Sequence, residues 1–158
     1  CKLVSADDEK NVYESRDGYK ITAYHIKKAD VFECYTVFEN NTENTITLDM
    51  ISSFAITDID IDTLHRATSF WSAEGKMLSQ KLTELNMERS WSGHGIRIEK
   101  FGQVGSMPVR KWFPFVAVEN SKTHEFIGVQ LYIPSSWQIE LFRHKEPLTL
   151  LGGATGYV

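Results

Sequence analysis

From Ile96 onward the chain is a succession of short runs: Ile96 to Phe101, Phe113 to Glu119, Phe126 to Ile133, Trp137 to Phe142 and Leu148 to Leu151. Gly, Pro, Ser or charged turns separate them at fairly even intervals. Many short strands with turn punctuation and no clear helix between them describe a β-sandwich or barrel. The N-terminal part carries the same signal. Tyr19, Ile21 and Ala23 alternate with polar neighbours, and Val31 to Phe38 is rich in β-branched and aromatic residues. The cluster Asn40-Asn41-Thr42-Glu43-Asn44 has turn chemistry. Thr45 to Ile56 then resumes as a strand with Ile46, Leu48 and Met50 on one face, so a hairpin is expected here. Leu64 to Trp71 reads as a further strand closed by an Ala73-Glu74-Gly75 turn. Met77 to Leu85 is ambiguous by period alone, because Leu78, Leu82 and Leu85 have helical spacing.

A length of 158 residues suits one domain, or a substantial piece of a larger one. With 42% hydrophobic residues it can bury a core that needs no disulfide or metal. We therefore expect residues 1–158 to form a single all-β unit, an antiparallel β-sandwich with little or no helix. The last residues, from Leu151 through Gly152-Gly153 to Val158, offer no closing element, as though the chain stopped inside a larger architecture.

The formal charge of -4 gives no electrostatic footprint for nucleic acid and disfavours anionic membranes. No apolar run approaches the roughly 18 residues that span a bilayer. Two cysteines, Cys1 and Cys34, are too few for a disulfide framework, and Cys34 reads as a small buried hydrophobe. A cytoplasmic location is favoured. Cys1 leaves open a lipid-bearing surface protein, if it is a processed N-terminus.

No local constellation announces catalysis. The five histidines, His25, His65, His94, His124 and His144, are scattered singly, without the spacing of a zinc site, and each reads as an ordinary surface or core residue. Asp58 to Asp62 alternates acid and isoleucine, but the glycine and glutamate of a calcium loop are replaced by Thr63 and Ser69. Asp58, Asp60, Asp62 and Glu74 are read as solvated or turn residues. Gly93-His94-Gly95 and Gly102-Gln103-Val104-Gly105 fall short of phosphate-binding loops and read as turn or bulge glycines. No cofactor or metal is expected. Trp71, Trp91, Trp112 and Trp137 lie at or near the ends of runs, where a ring can be half exposed to stack on a sugar. Trp137, after Pro134-Ser135-Ser136, is expected to be the most exposed.

Several ordered motifs carry a family resemblance over residues 64–153. They are Ser69-Phe70-Trp71-Ser72-Ala73-Glu74-Gly75-Lys76, Leu85-Asn86-Met87-Glu88 with Ser90-Trp91-Ser92, and Phe101 through Gly102-Gln103-Val104-Gly105-Ser106-Met107-Pro108-Val109 to Arg110. Phe113-Pro114-Phe115, Ser135-Ser136-Trp137-Gln138 with Glu140 and Arg143, and Gly152-Gly153 follow in the same order. Together they resemble the N-terminal domain of bacterial α-galactosidases, or melibiases, of glycoside hydrolase family 36. The resemblance implies part of a galactose-mutarotase-like β-supersandwich and favours strand at Met77 to Leu85. It also implies that the two catalytic aspartates are carried by a (β/α)₈ barrel, which needs about 250 residues and does not fit this chain.

The chain alone is then expected to be inactive. Its implied roles are to support the barrel of the parent enzyme, to help form homo-oligomers and to lend loops to the rim of a galactoside pocket. Ser106, Arg110, Ser136 and Trp137 are the substrate-contact candidates, since they sit in matched loops and can hydrogen-bond or stack on sugar. The competing expectations are a free-standing carbohydrate-binding module using Trp137 or Trp91, and a structural interaction sandwich of a surface protein.

Overall fold

The computed structural model describes residues 1–88, 95–105, 109–144 and 148–156, and among them every regular element is a β-strand. Three antiparallel four-stranded sheets are formed. The first, in order β1-β2-β3-β4, holds β1 (Lys2–Ala6), β2 (Lys10–Glu14), β3 (Tyr19–Lys28) and β4 (Val31–Asn40). The second, β5-β12-β11-β8, holds β5 (Met50–Ile59), β8 (Ile96–Gln103), β11 (Trp137–His144) and β12 (Leu148–Thr155). The third, β10-β9-β6-β7, holds β6 (Thr63–Thr68), β7 (Met77–Lys81), β9 (Trp112–Asn120) and β10 (Glu125–Gln130).

The core lies between the second and third sheets, as the period of two in their strands requires. Trp137, Ile139 and Leu141 alternate inward on β11, beside Leu148 and Leu150 on β12. Leu64, Val116 and Val118 come from the facing sheet. The first sheet supplies none of these core residues; its one buried side chain among those described is Thr22. Exposed Leu3, Val4, Val31 and Phe32 lie on it instead.

Met87 closes the core from a turn that follows β7. Its N–H donates to Leu82 O at 2.7 Å, and its carbonyl accepts from Arg143 Nε at 2.9 Å. Arg97 holds the neighbouring carbonyls of Asn86 and Glu88 at 3.1 and 2.8 Å. The ambiguous segment thus divides into strand β7 and a turn, and the helical spacing of its leucines reflects that turn.

Several expectations need correction. The hairpin between Val31–Phe38 and Thr45–Ile56 does not form: β4 pairs with β3, β5 pairs with β12, and the link between β4 and β5 is Thr36 Oγ1 donating to Ser52 O at 2.6 Å. Ile46 and Leu48 are half-buried in alternation but lie outside any ladder. The real hairpin turns tightly at Ala29-Asp30, with Ala29 at a φ of 51°. The strand read over Leu64–Trp71 ends at Thr68, because Ser69 turns to donate its N–H to Lys111 O at 3.1 Å.

Gly152-Gly153 is not a terminal turn. Both belong to β12, an interior strand, and a Cβ on Gly153 would run into the carbonyl of Ile51 on β5. Cys34 is half-buried rather than buried, and desolvation pushes its thiol pKa up.

Candidate functional site

The connections after β6, after β8 and before β11, which carry three of the quoted motifs, meet at one end of the sandwich, whereas Leu85-Asn86-Met87-Glu88 lies at the other, beside Arg97 and Arg143. The turn between β6 and β7 is tied to the segment before β9 through Ser69, whose Oγ also donates to Val109 O. The segment after β8 is tied to the approach to β11, where Gly105 N–H donates to Ser136 Oγ at 2.9 Å. Beneath them a cleft of about 510 Å³ is lined by Arg66, Lys100, Phe101, Gln103, Trp112 and Gln138, among others.

Arg66 fixes the chemistry of this cleft. It points inward from β6, only 5% exposed, with its guanidinium 4.7 Å from the Trp112 ring centroid and 5.0 Å from that of Phe101. One terminal nitrogen donates to Glu99 Oε1 at 2.6 Å and the other to Gln80, which joins the two sheets. Its Nε–H has no hydrogen-bond partner among the described residues. Lys111 Nζ lies 5.5 Å from the Trp112 centroid, so cations from two neighbouring residues crowd that ring. Lys100 pairs with Glu140 Oε1 at 3.4 Å, and Gln138 Nε2 donates to the same carboxylate.

The four candidates from the sequence fare differently. Ser106 lies outside the described residues. Arg110 is exposed, next to Lys111 at the cleft. Ser136 is half-buried and uses its hydroxyl to hold the Gly105 backbone. Trp137 has no exposed surface at all, which overturns the expectation that it is the most exposed tryptophan. It is the first residue of β11, paired with Gln103 and Ala154, and its inward parity turns the ring edge-on to Phe101 at 6.2 Å and 89°. It forms the floor of the cleft and offers no open face to a sugar.

The exposed ring belongs to Trp71, 82% accessible at the tip beyond β6, with Phe70 exposed beside it. The Ala73-Glu74-Gly75 turn signal could have marked Trp71 as a tip residue. Trp91 lies outside the described residues.

The acidic stretch is also more ordered than a solvated face. Ile59 and Ile61 are buried, while Asp62 Oδ2 accepts from Ser121 Oγ at 2.5 Å and from Ser121 N at 3.1 Å. Its Oδ1 accepts from Thr63 Oγ1 at 2.5 Å and from Lys81 Nζ at 3.0 Å. These donors favour the ionised form and hold the carboxyl well below its ordinary pKa, the Ser121 hydroxyl contributing most. Among the described residues no group of three or more His, Cys, Asp or Glu side chains is arranged to hold a metal.

Fold and site together define an antiparallel β-sandwich with an arginine-centred aromatic cleft at one end. No protein-family model matches the chain, and no curated protein matches it.

Proposed function

We propose that the chain is a β-sandwich piece, non-catalytic toward galactosides, of an α-galactosidase resembling glycoside hydrolase family 36, supporting a catalytic barrel and the rim of its galactoside pocket. The observation that carries this reading is the convergence of motifs separated in sequence. Ser69, Phe101, Gly105, Trp112, Ser136 and Trp137 gather about one cleft and its bounding loops. The exposed apolar residues on those loops, Phe70, Trp71, Val104 and Val109, are what a piece that packs on further structure would present.

The purified chain is expected to leave a chromogenic α-galactoside unhydrolysed. Turnover that persists through repeated purification and comigrates with the chain would overturn the proposal.

A second reading, a carbohydrate-binding module, draws on Trp71, whose open ring could take the apolar face of a pyranose. Calorimetric titration with galactose, melibiose and raffinose separates the two. Saturable heat lost in Trp71→Ala supports the module, and absence of heat supports the structural piece.

A further inference from the structure

We propose that the outer face of the β10-β9-β6-β7 sheet carries a reactive serine, Ser79, that takes activated acyl esters. Three strands assemble it: Ser79 on β7, His65 on β6 and Glu119 on β9. Ser79 Oγ stands 2.8 Å from His65 Nδ1, and His65 Nε2 stands 3.0 Å from Glu119 Oε2. A carboxylate only accepts, so Glu119 fixes the proton on Nε2. That leaves the Nδ1 lone pair as acceptor and the Ser79 hydroxyl as donor into it, the polarity a nucleophilic serine needs.

The relay is sheltered while its nucleophile is open. The His65 and Glu119 side chains are 15% and 19% exposed, the Phe126 ring lies 5.9 Å from the imidazole, and Ser79 itself faces solvent. Cross-strand neighbours share a face, so Gly128, Ala117, His65 and Ser79 form one row across the sheet, with Ser79 on the edge strand and Gly128 three strands, about 14 Å, away. An ester therefore reaches Ser79 from the side away from the His65 ring.

An anion-stabilising donor lies at hand. The bonds Thr68 N to Lys76 O and Leu82 N to Asp62 O set the ladder parity of β6 and β7, which makes His65 and Ser79 a non-hydrogen-bonded pair. The Ser79 N–H therefore points to the sheet edge, where no strand among the described residues pairs with β7, and there it can meet a carbonyl oxygen as that oxygen gains charge.

The step balances without a further reagent. Ser79 Oγ adds to the ester carbonyl as its proton passes to Nδ1. The carbon–oxygen bond to the alcohol then breaks, and the departing alkoxide takes that proton. Water attacks the acyl-serine, giving one proton to Nδ1, which returns it to Oγ as the carboxylic acid leaves.

The test uses the intact chain with a fluorophosphonate probe and with p-nitrophenyl acetate and butyrate. Stoichiometric labelling mapped to Ser79 is expected, abolished in Ser79→Ala, cut at least 100-fold in His65→Gln and about tenfold or more in Glu119→Gln. Ser5→Ala, on the distant β1, leaves labelling unchanged. Covalent labelling at Ser79 that depends on His65 is a reactivity that a purely structural hydrogen-bond chain would not give. Because Ser79 is exposed on an edge strand, Ser79→Ala should fold, and unchanged circular dichroism checks this. Absence of labelling, labelling at another serine, or equal labelling in a folded His65→Gln variant would overturn the proposal.

Discussion

Arg66 on β6 reaches across the sandwich to Glu99 on β8, with Nη1 to Oε1 at 2.6 Å, and so bonds the two sheets that enclose the core. The contact is more than a charge pair. The guanidinium also lies against Trp112 and Phe101, so one side chain links the aromatic lining of the cleft to both sheets.

Removing one partner of this pair leaves the other charge poorly compensated in a largely buried setting. Glu99→Ala is expected to destabilise the fold by about 3 kcal/mol, measured by urea unfolding. The double variant Arg66→Leu/Glu99→Leu should lose less than Glu99→Ala, since it leaves no orphaned charge. A double variant weaker than the single one would show that aromatic stacking on Arg66 outweighs the ion pair.

Trp137 and Trp71 should behave as opposites. Trp137→Ala empties a fully enclosed site and is expected to cost about 3–5 kcal/mol, whereas Trp71→Ala should stay within about 0.5 kcal/mol. Thermal unfolding tests both. Acrylamide should quench a component of the fluorescence that disappears with Trp71→Ala.

Asp62 gives the acid limb of the stability curve a definite sign. Its folded pKa lies below the ordinary 3.8, so between those values the unfolded chain binds a proton that the folded chain does not. Stability from this group is complete above the unfolded value and drains away as pH falls from 3.8 through the depressed one. Asp7 and Glu88 are lowered as well and act in the same direction. Asp62→Asn should flatten the fall in unfolding free energy below about pH 4, read from denaturant titrations at stepped pH.

Gly102 and Gly153 occupy strand positions where another backbone comes too close for a side chain. A Cβ at Gly102 would overlap the Trp137 carbonyl, and one at Gly153 would overlap that of Ile51. Gly153→Ala is expected to cost about 1–3 kcal/mol and to weaken amide protection along β5 and β12, measured by hydrogen exchange. Gly128→Ala, with open space above it, should cost far less.

These residues also show what was legible in the sequence. The strand content was, because alternation in β3, β9 and β11 is a local property that survives into the structure. Partnership was not. Asn40-Asn41-Thr42-Glu43-Asn44 has turn chemistry, yet the chain crosses there from one sheet to another instead of folding back. The actual turn at Ala29-Asp30 carries no glycine to announce it.

Trp137 was misread because a preceding Pro-Ser-Ser suggests a loop, while inward or outward parity is set by cross-strand partners many residues away. The link from Ser79 through His65 to Glu119 was invisible for the same reason, since 54 residues separate its histidine and carboxylate. Arg66 stood out by neither motif nor spacing, and only the stacking of two sheets gives it a role.

The proposal of an α-galactosidase parent is tested most directly by sequencing the reading frame downstream of Val158. A frame that continues into alternating βα units over about 250 residues, with two aspartates at the carboxyl ends of its strands, is the expected result. A stop codon within a few tens of residues, or continuation into an unrelated all-β or helical pattern, would contradict it.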